Sequence, residues 1–272
     1  MERARSFSKS GAIAGKILAF CLVGVILLIW LMNTPPGLLG KADAIGYAVC
    51  HRIDLRSFHL GERQLPLCIR CSGMYLGAVL GLVYQALSGR RAAGFAPRRV
   101  WLVFGLLAAA FAVDGVNSYL HLFPGAPGLY EPQHWLRLLT GSGMGLAMAA
   151  VLYPAFLQTV LRRWDRTPIF SGLRSLTPLL ALALALDAIV WTQHPLVLYP
   201  LALVSAAGVV SVLTLVYTLV CVMAFRLENR VERLNQLVLP TICGLGLAFL
   251  QIGGLDLLRF LFTGSWDGFH IG

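Results

Sequence analysis

One stretch of the chain decides its fold class: residues 196–225 read LVLYPLALVSAAGVVSVLTLVYTLVCVMAF and contain no charged side chain. An α-helix of about 20 such residues crosses the roughly 30 Å hydrocarbon core of a bilayer. The whole sequence agrees with this segment, because 58% of its residues are hydrophobic, 12% are charged and the mean hydropathy is +0.75. A soluble domain cannot bury that much apolar surface. The sequence therefore predicts an integral membrane protein.

Six further apolar stretches have the length of a membrane-spanning helix. In chain order, the predicted spans are residues 12–32, 72–88, 100–120, 136–160, 175–193, 196–225 and 237–262. Only the turn Thr192–Pro195 separates the fifth span from the sixth. We predict an all-α, polytopic bundle of about seven transmembrane helices, which forms a single membrane domain over residues 1–272.

Positive charge is distributed unevenly between the predicted loops. With the N-terminus in the cytoplasm, 15 of the 22 Lys and Arg residues fall on the cytoplasmic side. They lie at residues 3–16 and in the loops at residues 90–99, 162–174 and 226–233. This positive-inside pattern explains the net charge of +10 without a nucleic-acid partner. We expect a multi-pass protein of the cell (inner) membrane, embedded in the lipid bilayer, with a cytoplasmic N-terminus.

The first span also has features of a signal peptide. A basic start and an apolar core precede the small-residue pattern Ala42-Asp43-Ala44. Its apolar segment is longer than a usual signal-peptide core, and Asn33-Thr34-Pro35-Pro36 ends it before that pattern. We expect an uncleaved anchor; cleavage would remove one helix and leave the other orientations unchanged.

Reactive side chains gather in the loop between the first two spans, which is extracytoplasmic in the predicted orientation. Residues 50–77 read CHRIDLRSFHLGERQLPLCIRCSGMYLG. Cys68 and Cys71 form a C-x-x-C where the loop enters the second span, and a helix N-terminus favours thiolates. Thiolates bind metals or exchange disulfides, and the motif alone does not distinguish these uses.

Cys50, His51 and His59 extend this motif towards a metal site. Together with Cys68 and Cys71 they supply enough ligands for a closed zinc site of the Cys3His type. We predict Cys50, His51, Cys68 and Cys71 as ligands of zinc or a similar divalent metal, with His59 as an alternative ligand. The odd number of cysteines favours metal over a fully disulfide-bonded loop, although one disulfide plus one free thiol also fits.

At these residues the sequence resembles a family of bacterial and archaeal membrane proteins, domain of unknown function 2085. The resemblance rests on Cys50-His51, Arg56-Ser57-Phe58, Gly61, Pro66, Cys68-x-Arg70-Cys71-x-Gly73 and Gly77, and resumes at Asp114-Gly115 and Arg137–Gly141. It covers residues 45–150, a family core with the Cys/His loop and the second to fourth helices, while residues 151–272 form additional helices. The resemblance implies a membrane protein with these positions in common, and it implies no reaction.

The arginines near the cysteines have three uses that the sequence leaves open. They can neutralise a Cys3His zinc centre, whose net charge is about −1. They can bind a phosphate or a carboxylate, since arginine offers bidentate geometry to both. They can also be solvated beside lipid headgroups. The candidate anion-binding residues are Arg52, Arg56, Arg70 and Arg137.

The third span carries a polar stripe at its outer end. Asp114, Asn117, Ser118 and His121 follow the helical spacing that places side chains on one face. Such a stripe faces a cavity or another helix. The next loop returns His134 to the same surface, so the candidate catalytic residues are Asp114, His121 and His134. We expect the Cys/His loop to cover the outer ends of the third and fourth helices.

Two further features concern packing. Glycines at four-residue spacing mark the second and fourth spans, where they allow a neighbouring helix to approach closely: Gly73, Gly77, Gly81, Gly141 and Gly145. Asp187 and the pair Asp256 and Arg259 lie in outer halves of their spans, where we expect them to pair or to extend the same site.

Three functions are compatible with these residues. The first is a structural or accessory subunit of a membrane complex, stabilised by the extracytoplasmic metal. The second is a membrane metalloenzyme that acts on a lipid headgroup or another anionic substrate. The third is a membrane thiol–disulfide oxidoreductase that uses Cys68 and Cys71. The adjacent His51 and the odd cysteine favour metal over redox chemistry, whereas enzyme and scaffold stay open.

Overall fold

A computed structural model describes residues 2–123, 125 and 128–267, with side chains from Gly15 onward except that of Leu234. These residues form eight α-helices and one short antiparallel hairpin. In chain order, the elements are α1 Glu2–Asn33, α2 Gly37–Val49, β1 His59–Leu60, β2 Arg63–Gln64, α3 Ile69–Ser88, α4 Arg98–Leu120, α5 His134–Val160, α6 Leu173–Trp191, α7 Pro195–Ala224 and α8 Val238–Thr263. All helices except α2 are long and apolar enough to span a membrane, which confirms the seven predicted spans.

Helix α2 lies where the sequence indicated only a loop. Pro36 stands at its N-cap, and the chain ends the helix at Cys50. Its small buried residues, Ala42 and Ala44 among them, pack against α7 and α8. With 13 residues, α2 is too short to cross a bilayer, so hydropathy alone does not detect it.

The closest helix pair is α3 with α5, and glycines form its contact. A Cβ added at Gly73 would stand 2.6 Å from the carbonyl oxygen of Leu138, and one at Gly77 would overlap the backbone of Ser142. From the other side, Gly141 and Gly145 face the backbone of α3. The two glycine faces therefore meet, as the spacing predicts, and fix the start of α3 beside the start of α5.

The bundle has two chemically different ends. Backbone bridges join Ala92 to Asp165 and Leu161 to Val231, so the three arginine-rich loops gather at one end. The cysteines, the hairpin and the C-terminal ends of α4 and α8 lie at the other, where Arg56 bonds to Ser118. Successive membrane-spanning helices run in opposite directions, so the loops that join them must alternate between the two ends of the bundle, as these do. That the arginine-rich end is cytoplasmic stays a prediction from charge.

Candidate functional site

Three cysteine side chains meet at the junction of α2 and α3. Cys50 follows the last turn of α2, Cys68 is the N-cap of α3, and Cys71 lies in the first turn of α3. Their sulfur atoms all lie within 4.8 Å of one another. Thiolates on one zinc ion stand roughly 3.8 Å apart, because bonds of about 2.3 Å point to the corners of a tetrahedron. The three sulfurs therefore fit a shared metal ion.

The backbone around Cys50 is arranged to stabilise a thiolate. Arg52 has a left-handed conformation with φ of 50°, and its N–H donates to the Cys50 sulfur at 3.4 Å. The N–H of Cys68 donates to the same sulfur, also at 3.4 Å. Hydrogen bonds from the Cys68 and Cys71 thiols, together with these amides, lower the pKa of Cys50 although burial opposes them. Donation to Cys50 raises the pKa of Cys68 to about 12.

An apolar shell encloses the three sulfurs. Cys50 itself is 5% exposed. The same hydrophobic cluster contains Ala44 and Ile45 of α2, Leu67 before α3, Ala206 and Val209 of α7, and Ile252 of α8. The sulfurs therefore sit among packed helices, where an ion would join the end of α2 to the start of α3.

Arg259 of α8 secures the same junction through the backbone. Its guanidinium donates to the carbonyl oxygens of Tyr47 at 2.7 Å, Cys50 at 2.6 Å and His51 at 3.1 Å. These are the carbonyls at the C-terminal end of α2, where a cation also meets the negative end of the helix dipole. Arg259 thus extends the cysteine site, one of the two roles expected for it.

The two histidines lie outside the sulfur cluster among the described residues. His51 follows Cys50 directly, and its side chain is exposed. His59 is exposed on β1, with its Nε2 2.9 Å from the Oδ1 of Asp54. Three of the predicted ligands are therefore brought together, and ligation by a histidine stays a prediction.

Arg70 connects the cysteine turn to α4. Its Nε lies 3.0 Å from the Oδ2 of Asp114, and its Nη2 binds the same oxygen. Asp114 is 1% exposed and also accepts hydrogen bonds from Tyr130 at 2.9 Å and from Thr140 at 3.3 Å. Arg70 therefore joins the start of α3 to α4 and to the start of α5 at the cysteine end of the bundle, and Asp114 faces this polar centre.

Arg56 and Arg137 stand beside this ion pair. The Nη2 of Arg56 donates to the Ser118 carbonyl oxygen at 2.7 Å, while Arg70 donates to the Ser118 hydroxyl at 2.7 Å. Burial and the charge of Arg70 lower the pKa of Arg56. Arg137 is 6% exposed, and its Nη1 lies 3.3 Å from the Nδ1 of His134. We call Arg56, Arg70 and Arg137 the arginine group.

Arg52, the fourth candidate for anion binding, belongs to a different set of contacts. Its Nη2 forms an ion pair with Asp43 at 3.1 Å, and its Nη1 donates to the carbonyl oxygen of Trp266 at 3.2 Å. Arg63 binds the other oxygen of Asp43. Arg52 therefore braces α2 and the hairpin against the chain after α8.

The candidate catalytic residues separate into two places. Asp114 and His134 contact members of the arginine group. The Nδ1 of His121 lies 2.8 Å from the carbonyl oxygen of Asn117, and its Nε2 lies 4.0 Å from Glu131. A catalytic role for these residues stays a prediction. The sequence did not indicate Tyr130, because a tyrosine in a short loop carries no motif.

Comparison with known proteins adds a family and two relatives. A family model described as "Predicted membrane protein (DUF2085)" matches residues 50–151, which include all three clustered cysteines. An uncharacterized protein of Methanocaldococcus jannaschii is 25% identical over 121 residues, 44% of this chain and 72% of the relative. An uncharacterized protein of Methanothermobacter thermautotrophicus is 31% identical over 102 residues, 37% of this chain and 82% of the relative. No solved structure matches the chain significantly.

Proposed function

The chain belongs to the domain of unknown function 2085 family of predicted membrane proteins, and we propose that the region it shares with that family is organised by a metal centre. Cys50, Cys68 and Cys71 hold one zinc or similar divalent ion at the extracytoplasmic end of the bundle. The observation that carries this proposal is the convergence of three sulfurs, from the ends of two helices, within 4.8 Å. The fourth ligand is His51, which is next to Cys50 in sequence, or His59.

The proposed role of the metal is structural. A closed site stabilises a fold by joining its ligands, whereas a catalytic site keeps one position open. The cysteines here pack among apolar side chains of α2, α7 and α8, and Arg259 clamps the adjacent backbone. These contacts support a centre that holds the outer end of the bundle in one shape. The chain would then act as a structural or accessory subunit of a membrane complex.

The test is metal analysis of the purified protein together with a count of reactive thiols. We expect about one ion per chain, lost in the separate variants Cys50→Ser, Cys68→Ser and Cys71→Ser. Cys243→Ser is the matched control, because Cys243 is a partly buried thiol of α8 outside the cluster. In the native protein the three cluster thiols should react only after a chelator has removed the ion. Metal-free protein with a stoichiometric Cys68–Cys71 disulfide would contradict the proposal.

A thiol–disulfide oxidoreductase is the second candidate, favoured by the proximity of the same sulfurs. Oxidation of Cys68 and Cys71 to a disulfide would release two protons and pass two electrons to an acceptor such as a quinone. Cys50 would then be the shuttling thiol. A redox titration of metal-free protein tests this: a Cys68–Cys71 couple that equilibrates with glutathione and supports quinone reduction would favour it.

A membrane metalloenzyme is the third candidate, because Asp114 and His134 lie beside the arginine group. It requires a metal position that substrate can occupy. Cobalt substitution tests this requirement, since its visible spectrum reports coordination. A spectrum that changes with added phosphate would support the enzyme, and an unchanged spectrum would support the closed structural centre.

A further inference from the structure

The arginine group carries more positive charge than its surroundings neutralise. Asp114 is ion-paired with Arg70, and no carboxylate among the described residues lies within ion-pair distance of Arg56 or Arg137. The charges of Arg56 and Arg70 act unfavourably on Arg137. Two of the three guanidinium groups are therefore without a paired carboxylate in a largely buried region, where unpaired charge is costly.

The cysteine site does not remove this excess. A zinc ion with three thiolates and a neutral histidine has a net charge of about −1. Added to Asp114, this centre balances two of the three arginines and leaves one positive charge uncompensated.

The hydrogen-bonding capacity of Arg137 is also only partly used, since its one side-chain partner among the described residues is His134. The side chain is 6% exposed, and its buried Nε has no hydrogen-bond partner. A buried N–H without a partner loses its hydration without compensation. Arg56 uses Nη2 for the Ser118 carbonyl oxygen. Two guanidinium groups on different elements thus keep donors for a further acceptor.

We propose that the arginine group binds a phosphate group between the hairpin loop, α4 and α5. The ligand must be anionic, and it must offer several acceptor oxygens in different directions, because its donors come from Arg56 on one side and Arg137 on the other. A phosphate meets both conditions, and arginine binds it with paired hydrogen bonds. Arg70 holds the site together through Asp114 and Ser118.

The phosphate belongs to a phospholipid headgroup. Apolar and aromatic side chains around the site face outward, including Trp135 at 48% exposed, Tyr119 at 60% and Phe123 at 52%. Aromatic residues at helix ends mark the depth of the lipid headgroups. A phosphate at that depth can reach the arginine group while its acyl chains lie along α4 and α5. This site does not rest on the metal centre, since none of its donors is a proposed ligand.

The experiment measures ligand-dependent thermal stability of the full chain in a zwitterionic detergent. The probes are inorganic phosphate, phosphatidylglycerol and phosphatidylcholine, with sodium chloride at matched ionic strength. A ligand that binds only the folded state raises the melting temperature with concentration. We expect phosphatidylglycerol to raise the melting temperature more than phosphatidylcholine does, and more than sodium chloride does at the same ionic strength. Stabilisation by inorganic phosphate to the same extent would show that the group binds phosphate without its lipid.

Variants assign any binding to the arginine group. Arg56→Gln and Arg137→Gln should each weaken binding about tenfold or more, because a charge-assisted hydrogen bond is lost. Arg63→Gln is the control, since Arg63 lies on the same loop but binds Asp43. Arg56 packs only partly into the bundle, so its variant should fold even where Arg137→Gln does not.

Metal content is measured in every sample, so that failure of this site and failure of the metal centre can be told apart. Unchanged metal with lost phosphate binding in Arg56→Gln supports the proposal. Equal binding in the native protein, Arg56→Gln and Arg137→Gln would overturn it. So would stabilisation by phosphate and phosphatidylglycerol no greater than that by chloride.

Discussion

Arg70 lies between two clustered cysteines, and its guanidinium is fixed by Asp114 of a different helix, with Nε 3.0 Å from Oδ2. One of the two residues between the cysteines of the C-x-x-C therefore also anchors α4. Because Arg70 is in the first turn of α3, the position of Cys68 and Cys71 depends on this ion pair. The first turn of α3 consequently links the cysteine cluster, through Cys68 and Cys71, to the arginine group, through Arg70.

Replacement of Asp114 by asparagine should destabilise the fold far more than its change in size suggests. Asn has nearly the same shape but leaves Arg70, whose side chain is 17% exposed, without the carboxylate of the buried Asp114. Breaking a buried ion pair costs about 3–5 kcal/mol, and the partial exposure of Arg70 places the expected loss at the lower end of that range. Chemical unfolding in detergent measures this. Asp54→Asn is the control, because the Asp54 side chain is 65% exposed and its exposed pair with His59 is worth at most about 1 kcal/mol. Equal effects of the two variants would contradict the importance of the pair.

Arg259→Gln should weaken metal binding while the helices still form. The substitution removes donors to the carbonyls of Tyr47, Cys50 and His51 and so releases the backbone that positions the Cys50 sulfur. Loss of a residue that orients a ligand typically lowers metal affinity about 10- to 100-fold. Competition with a zinc chelator gives the affinity, and Arg174→Gln at the opposite end is the control. Retention of native affinity would limit Arg259 to a role in folding.

The contact of α3 with α5 should be intolerant of any side chain at Gly77. An added methyl group would overlap the backbone of Ser142, which cannot rotate away, so Gly77→Ala should cost about 1–3 kcal/mol or more. Gly105→Ala in α4 is the matched control, because no neighbouring atom lies within 4 Å of the place that its new methyl group would take. Alanine there should be neutral or stabilising by up to about 1 kcal/mol. Comparable melting temperatures for the two variants would refute this packing.

Cysteines introduced at exposed positions test the predicted orientation. His59→Cys lies on the exposed hairpin, and Arg163→Cys lies on an exposed loop at the opposite end of the bundle. Each is introduced in a background in which Cys21 is serine. A membrane-impermeant maleimide should label His59→Cys in intact cells and Arg163→Cys only in inverted vesicles. The reverse pattern would place the cysteine cluster in the cytoplasm.

The transmembrane helices could be predicted closely from sequence. Apart from the start of the first, each predicted span begins and ends within three residues of the observed helix. The reason is that backbone groups in lipid must be paired within the helix, so apolar length alone specifies the element. Helix α2 escaped prediction because its formation depends on contacts with α7 and α8, which lie about 150 residues or more away in sequence.

The site could be predicted only in part. The C-x-x-C and the nearby Cys50 identified the three sulfurs that converge. The bonds from Arg56 to the Ser118 carbonyl oxygen and from Tyr130 to Asp114 follow from how the helices pack, and no spacing in the sequence encodes them. The different roles of Arg52 and Arg56 likewise depend on the folded chain, where Arg52 pairs with the Asp43 carboxylate and Arg56 donates to the Ser118 carbonyl oxygen.

The apolar shell of the cysteines has a consequence for the family region itself. Ala206, Val209 and Ile252 cover the sulfurs, and all three lie beyond residues 50–151 that the family model matches. A protein built from the shared region alone would present this side of the cysteine turn to its surroundings. In this chain, α7 and α8 cover that side of the cysteine turn and make it part of the protein interior.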